Sequence, residues 1–412
     1  MVKFCKRLTT IRFTGAERRR PLLDVFLYER STQRLSNAKE ETESQDFETE
    51  VQNQVTLPHD LLFKIFGLVH AESLFRLQFV CKKWFGLINT STFIRHHSQQ
   101  SETVLICKTL TLLESGSRED SIKSYFHFLH LDHRDDFFIE SSVIDLLVDI
   151  RASCDGLLLA AVGKNKNLIL INPITRKHSA FPLGFVANSS DESYGIAFCN
   201  KTNTYKVVHL FREKSGCTGC EILSISARKW TRVEGPNSSD LLPNIRKSPL
   251  SIHGSLHWMP MEHRCDHIIT MNVKDEKFIA KKLPVRWAVK DRLIEIGGNL
   301  GFVSHAEANA MQVWILKNDG GSSEKWMKHY SIKLEFDFGC PIPICGSRNG
   351  REIVFECRGY DLCFYKFDKG EMEVVHSRHD NDEAWCERIE QLYIPHHHTL
   401  VSCQDDLQRL PY

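Results

Sequence analysis

"VTLPHDLLFKIFGLVH" occupies residues 55–70 and "CKKWFGLI" occupies 81–88. Both crowd large apolar side chains into a helical pattern inside a chain that is otherwise mostly polar. Pro58 suits the first turn of a helix, where a missing N–H costs nothing, and Asp60 suits the positive end of the helix dipole. Leu61, Leu62, Ile65, Phe66 and Val69 follow at helical spacing. Leu74, Leu77, Cys81, Trp84 and Ile88 then recur at steps of three and four, an apolar stripe along one helix face, with Lys82 and Lys83 off it. A helical segment of about 40 residues buries too little to be stable unaided. Its surplus of apolar side chains makes sense if a second polypeptide completes the core, as at an obligate interface.

Outward from this segment the composition is that of a soluble globular protein with material for more than one core. The chain has 412 residues, a net charge of +1, 25% charged and 42% hydrophobic residues. Near-neutrality argues against a general nucleic-acid binder. No apolar run approaches the roughly 18 residues of a membrane helix, and "MVKFCKRLTTIRF" lacks the apolar core of a signal peptide. The 14 cysteines form no dense framework, and Cys107, Cys357 and Cys363 sit in apolar runs; they read as reduced, buried thiols of an intracellular protein. The Asn-x-Ser/Thr triplets at Asn188 and Asn237 then read as chance matches. Upstream, residues 1–20 hold seven Lys/Arg against Glu17, and residues 40–50 hold six acids and no base. Residues 1–50 read as a charge-segregated, disordered leader, either a solvated tail or a targeting signal.

From about residue 102 the hydrophobic period changes from helical to two. "YKVVHLF" (205–211), "EILSIS" (221–226), "MQVWIL" (311–316) and "DLCFYKF" (361–367) read as short strands. A degenerate unit recurs, an apolar strand, a turn and a second strand. Its turns centre on Pro173, Ala227, Lys274, Asn318 and Lys369, spaced by 54, 47, 44 and 51 residues. Periods of about 40–50 residues are those of propeller blades, and roughly 300 residues predict about six. A glycine leading into an apolar strand precedes most units: "CDGLLLA", "YGIAF", "HGSLHWM", "GGNLGFV" and "NGREIVF". It reads as a tight turn or a positive φ at the strand entry. A two-sheet sandwich with insertions is the competing architecture.

Taken in order, Leu57-Pro58, the Leu61/Leu62/Ile65 helix, Leu74 with Arg76, Val80-Cys81-Lys82, Trp84, Ile88 and Phe93 resemble an F-box. "SCDGLLLA", "LINPITRKHSAFP", "YGIAFCNKTNTYKVVHLF", "HGSLHWM" and "QLYIPHHHTLVS" are similar to the F-box-associated, kelch-like domain of plant F-box proteins. The likeness covers about residues 55–403. Where the family often reads "ILxRLP" after the first helix, this chain has "IFGLVHAES", and Gly67 lowers helix propensity by about 1 kcal/mol relative to Ala. The expected fold is α+β: a disordered leader (1–50), a three-helix F-box (51–97), an all-β propeller-like domain (98–403) and a tail (404–412).

The resemblance implies a non-catalytic, substrate-recognition subunit of a Skp–cullin–F-box ubiquitin ligase. It docks on a Skp-type adaptor, and through it on cullin and RING subunits, and recruits a target protein for ubiquitination and proteasomal degradation. The alternative is a scaffold that binds the adaptor or other partners without turnover. A cytoplasmic or nuclear location follows from either. Leu57, Pro58, Leu61, Ile65, Leu74, Val80, Cys81 and Trp84 are the candidate adaptor contacts, with Trp84 a candidate hot spot. Leu62, Phe66 and Leu77 are assigned to packing among the helices. Neither membrane nor nucleic acid is an expected partner, and no cofactor is expected.

No G-x-S-x-G, P-loop, GxGxxG or HExxH occurs, so no catalytic residue is assigned. Cys217-Thr-Gly-Cys220 has no second ligand pair and reads as a loop with two free thiols. His253 and His257, four apart, read as two histidines on one face of a strand. His396-His397-His398 reads as a solvated bend. No metal is assigned, and a metal oxidase of the propeller class would need converging Tyr and His ligands. Target recognition falls to loops at one end of the propeller, with candidates at residues 163–167, 212–220, 261–267 and 304–310; no target-binding residue is assigned.

Overall fold

The computed structural model describes residues 57–402 apart from 102, 114–120, 132–139, 145–147, 163–166, 176, 186–191, 237–247, 260–265, 308–309, 319–323, 335–340, 358–361 and 376–385. The expected leader and tail, and the triplets at Asn188 and Asn237, lie outside the described residues. Among the described residues four short helices come first: α1 (His59–Gly67), α2 (Ala71–Leu77), α3 (Lys82–Ile88) and α4 (Ser91–Gln100). Pro58 is the N-cap of α1, its carbonyl accepting the Leu62 N–H at 3.1 Å, and α1 stops at Gly67. The fourth helix exceeds the expected three; the Thr90 hydroxyl starts it by accepting the Phe93 N–H at 3.2 Å.

The stripe from Leu74 to Ile88 is not one helix face. A turn at Gln78–Cys81 divides it, and Cys81 is extended, with φ −159° and ψ 161°. The Phe79 and Val80 N–H groups bond back to the Arg76 and Leu77 carbonyls at 3.2 and 3.1 Å. A three-four spacing persists by chance across two helices joined by a tight turn.

Among the described residues twenty-four strands follow, in six antiparallel sheets of four. The first three are β1 (Thr103–Leu113), β2 (Ser121–His130) and β3 (Glu140–Ile144). Blade one is β4 (Val148–Cys154), β5 (Leu157–Val162), β6 (Asn167–Ile171) and β7 (His178–Phe181). Blade two is β8 (Glu192–Cys199), β9 (Thr204–Arg212), β10 (Thr218–Ser224) and β11 (Lys229–Val233). Blade three is β12 (Leu250–Ile252), β13 (Ser255–Trp258), β14 (His267–Asn272) and β15 (Lys277–Lys282). Blade four is β16 (Arg292–Ile296), β17 (Asn299–Glu307), β18 (Ala310–Asn318) and β19 (Glu324–Lys333). Blade five is β20 (Ile342–Gly346), β21 (Glu352–Glu356), β22 (Leu362–Lys366) and β23 (Glu371–Val375). Blade six takes its inner strand from the far end of the chain: β24 (Cys386–His397) pairs antiparallel with β1, giving the order β24-β1-β2-β3. The first strand of each sheet neighbours the first strands of the adjacent sheets around a closed ring, the arrangement of a six-bladed propeller.

The recurring turns are the hairpins between third and fourth strands. Four of the five glycine motifs are the hairpins between first and second strands, where Gly156, Gly254, Gly297 with Gly298, and Gly350 have φ between +56° and +82°. Asp155-Gly156 and His253-Gly254 place two positive φ angles in succession, as type I′ turns demand. "YGIAF" departs from this reading, because Gly195 lies inside β8. A Cβ there would lie 2.6 Å from Pro249 Cγ and 2.8 Å from Leu256 Cδ1, so this glycine lets blade three pack closely. The matching hairpin of blade two has Asn203 at φ 50° instead.

The core is a ring of layers between blades rather than one centre. Leu157, Leu159 and Leu170 meet Ile196 and Val207 between blades one and two. Val208 and Ile222 meet Leu256, Trp258 and Met271 between two and three. Ile268 meets Phe302 between three and four, and Val313 meets Phe355 between four and five. Phe364 meets Leu105 between five and six, and Ile106 meets Leu158 across the closure. Indole N–H groups tie the rims: Trp230 donates to the Pro182 carbonyl and Trp326 to the Lys282 carbonyl, each at 2.8 Å, reaching from a fourth strand to the blade before.

Blade two carries a buried ionic clamp. His209 of β9 is fully buried, with Nδ1 2.8 Å from Glu221 Oε1 of β10 and Nε2 3.3 Å from Glu192 Oε2 of β8. Tyr194 stacks on its ring at 4.1 Å, Trp230 meets it edge-on, and Arg151 of β4 contacts Glu192 at 3.4 Å and Asp149 at 3.1 Å. Burial alone would lower the imidazole pKa; hydrogen bonds to Glu192 and Glu221, reinforced by their charges, raise it instead. A raised folded value makes the clamp's stabilisation complete below the unfolded pKa of about 6.5 and lost as pH climbs through the folded value. The melting temperature of the wild type relative to His209→Gln is expected to be most favourable near about pH 5.5 and to shrink toward about pH 9. A difference that stays constant over that range would show that His209 carries no charge in the fold.

Candidate functional site

The helices bury one set of apolar side chains and present another. Leu62, Phe66, Ala71, Leu74, Leu87, Ile88 and Phe93 form the small interior, and Leu57, Leu77 and Trp84 pack against it from partly exposed positions. Left facing solvent are Leu61 (47% exposed), Ile65 (41%), Leu68 (86%), Phe79 (71%), Val80 (55%) and Phe85 (51%). Pro58 and Cys81 are also exposed. On α1 the residues at 58, 61, 65 and 68 turn outward while 62 and 66 turn inward, the phase a 3.6-residue period gives. Lys83 Nζ reaches the Leu57 carbonyl at 3.4 Å, so the start of α1 lies beside α3. Phe66 meets Trp84 edge-on at 5.1 Å, and Phe75 meets Phe79 at 5.7 Å.

Of the eight candidate contacts, Pro58, Leu61, Ile65, Val80 and Cys81 are on the surface, and Leu57 and Trp84 are half-buried at its edge. Leu74 is corrected: it is fully buried and supports the exposed face from beneath. Leu62, Phe66 and Leu77 pack among the helices. Leu68, Phe79 and Phe85 were not among the candidates. The signal was present, since each is a large apolar residue out of phase with the inward stripe.

The helical segment is seated on the propeller. Ile174, from the β6–β7 turn, and Leu400, after β24, belong to the helical interior. Ile94 of α4 packs both there and against the layer between blades one and two. Glu72 of α2 lies 3.0 Å from His398 Nδ1, and Arg348, in the β20–β21 turn, donates to the Ser101 carbonyl at 3.2 Å. Asn172 donates to the Thr399 and Val401 carbonyls at 3.0 and 2.6 Å, while its Oδ1 accepts the Ile174 N–H at 2.8 Å. Gly156 has φ +82°, and a Cβ there would lie 2.9 Å from the His397 carbonyl oxygen and overlap the Thr399 hydroxyl.

This overturns the solvated bend expected at 396–398. His396 and His398 are buried because β24 is an innermost strand whose end lies under the helices. His396 Nδ1 is 3.0 Å from the Ser153 hydroxyl, and burial holds its pKa well below the usual value. Burial, with Arg348 nearby, pushes His397 down to about 3. Nor do His253 and His257 share a strand: His253 is in the β12–β13 turn, while His257 is buried in β13 against the Thr270 hydroxyl at 2.9 Å. Burial pushes His257 down to about 3. Cys217 is exposed in a turn, whereas Cys220 is a core residue of β10 with its thiol pushed up to about 12 by burial. Cys107 is a buried thiol outside the disulfide; Cys357 and Cys363, expected to be reduced, are joined in a disulfide with Cα atoms 6.2 Å apart, within the ordinary range. Among the described residues no group of three or more His, Cys, Asp or Glu is placed to hold a metal ion.

Ile174, Arg348, His398 and Leu400, which meet the helical segment, belong to a first-to-second or third-to-fourth hairpin or to the end of β24. The candidate recognition loops are the connections β5–β6, β9–β10, β13–β14 and β17–β18. These join second to third strands in four successive blades, so the described strand ends that flank them stand together at the opposite end. Residues 163–166, 261–265 and 308–309 of these connections lie outside the described residues.

Four helices with an unfilled apolar face, mounted under a six-bladed propeller, define a two-part architecture. The chain matches the F-box associated beta propeller domain over residues 102–399 and the F-box-like domain over 55–100. It belongs to this family, in its plant F-box branch. It is 26% identical over 313 residues to the F-box protein At3g07870 of Arabidopsis thaliana, covering 67% of this chain and 72% of that one. It is 24% identical over 329 residues to the F-box/kelch-repeat protein At3g23880 of the same plant, covering 76% and 88%. An oligogalacturonate lyase in complex with manganese is matched at a TM-score of 0.38 and 10% identity over 74% of this chain and 83% of that one, too distant to bear on fold or function.

Leu74→Ala is expected to destabilise the helical segment by about 2–5 kcal/mol, while Leu68→Ser costs within about 0.5 kcal/mol. Hydrogen exchange over residues 59–100 as urea is raised separates the two. Equal loss of protection in both variants would show that the inward and outward faces are misassigned.

Proposed function

We propose that this chain is the substrate-receptor subunit of a Skp–cullin–F-box ubiquitin ligase. The observation that carries the reading is the outward apolar face of the helices, six large side chains between 41% and 86% exposed on a segment whose interior is already filled. Clusters of this kind mark protein interfaces, and a Skp-type adaptor is the partner the F-box likeness implies. Its contacts are Leu57, Pro58, Leu61, Ile65, Val80, Cys81 and Trp84, extended by Leu68, Phe79 and Phe85, with Leu74 holding the face in shape. Aromatic side chains at the centre of such a face contribute most. Adaptor, cullin and RING subunits supply the ubiquitin transfer, and this chain performs no chemistry itself.

The propeller recruits the target protein. Its loops between second and third strands stand at the end away from the helices, where a target is held clear of the adaptor. Ubiquitination and proteasomal degradation of that target follow, in the cytoplasm or nucleus.

Co-purification with the adaptor tests the assignment. Leu61→Glu with Phe85→Glu is expected to reduce adaptor recovery at least about thirtyfold, the loss of roughly 2 kcal/mol typical of a hot spot, with the melting temperature kept. Equal recovery of variant and wild type would remove the adaptor assignment. Proteins captured by proximity labelling should rise in abundance when the chain is depleted; abundance that stays flat favours the scaffold reading.

A further inference from the structure

The outer strands of three consecutive blades share a chemistry that adaptor docking does not use. Strands β11, β15 and β19 read KWTRV, KFIAKK and EKWMKHYSIK. Together they carry eight Lys/Arg and a single acid, Glu324, in a chain of 53 bases and 52 acids. Lys229, Lys277 and Lys325 occupy the same place in successive blades, 48 residues apart. The next residue in each strand, Trp230, Phe278 or Trp326, packs against its blade layers, and the residue after it, Thr231, Ile279 or Met327, returns to solvent. Lys282, Lys328 and Lys333 are exposed as well. Among the described residues Arg232 contacts Glu213 and Lys281 contacts Glu324 at 2.5 Å, and Lys325 has a partner of its own. In the turn before β15, Asp275 is exposed and Glu276 is held by Lys206 at 2.7 Å.

Edge protection alone does not account for this. A solvent-facing outer strand needs charge to discourage pairing with another chain, and either sign serves. Blade five shows as much, since β23 reads EMEVV and exposes Glu371 and Glu373. One sign kept over three neighbouring blades, in a near-neutral chain, is a field with a direction.

We propose that the rim of blades two to four is a docking surface for an acidic protein segment. Charge complementarity names the chemistry. Protein is favoured over nucleic acid by two features: Ile279 (53% exposed) and Met327 (54%) stand between the lysines as apolar contacts, and both rim indoles turn their N–H groups to backbone carbonyls rather than offering a stacking platform. The proposal is independent of adaptor binding, because the rim lies on the propeller and uses none of the helical face.

The test uses the full chain and fluorescein-labelled poly-L-glutamate, read by fluorescence anisotropy. Wild type is expected to bind, more weakly as salt rises from about 50 to about 200 mM. Lys229→Glu with Lys277→Glu and Lys328→Glu is expected to weaken binding at least tenfold. A matched reversal on turns at the helical end, Lys177→Glu with Lys201→Glu and Lys369→Glu, is expected to change it less than threefold. Adaptor co-purification of both variants confirms that they fold. Absence of wild-type binding, equal loss in the two triple variants, or tighter binding of single-stranded DNA than of polyglutamate would each overturn the proposal.

Discussion

A blade of four antiparallel strands has two apolar faces and can cover neither by itself, and the rest of this molecule follows from that constraint. Leu256, Phe302, Phe355 and Leu159 are fully buried only because the next or previous blade lies over them. A row of such sheets ends in two uncovered faces unless it closes. Here closure joins β24 to β1, residues nearly 300 positions apart, with Ile106 and Leu158 filling the last gap. The ends of the repeat domain are therefore forced together.

That meeting point is where the helices sit. β1 begins three residues after α4 ends, and β24 runs out beneath the same helices, delivering His398 to Glu72 and Leu400 to the helical interior. A segment of about 40 residues that lacks enough core of its own thus borrows part of one from the ring closure. The same segment still leaves Leu68, Phe79 and Phe85 in water. Borrowing from the propeller satisfied one side of the helices and not the other.

The legible part of the fold was the part carried by local rules. Hairpins announced themselves through glycines that need positive φ, and strand pairs through a period of two; the spacing of the turns then pointed to about six blades. What the sequence concealed depended on partners far along the chain. Three successive histidines look polar in isolation, and only the placement of β24 as an inner strand shows that 396 and 398 are buried. Gly195 looks like its four counterparts, yet it serves contact with Pro249 and Leu256 rather than a turn. In the helices, apolar density revealed that a face existed, while the turn at Gln78–Cys81 decided which side each residue takes. Leu74 and Val80 are both apolar and six residues apart, but one is interior and the other half-exposed surface.

Strand direction then fixes how the two ends of the molecule are related. In an antiparallel four-stranded blade the first-to-second and third-to-fourth hairpins share one end, and the second-to-third connections share the other. Ile174, Asp155 and Arg348 belong to hairpins of the first kind, and they or their turns touch the helices or the tail of β24. Any protein bound by the second kind is consequently held a full strand length from the apolar helical face, across a layered core. The Asn172 side chain illustrates how the seat of the helices resists rotation: one amide holds two carbonyls of the β24 tail while its oxygen holds the turn that carries Ile174. A partner on the helices and a partner on the loops would thus be separated by a distance set by the fold, not by a tether.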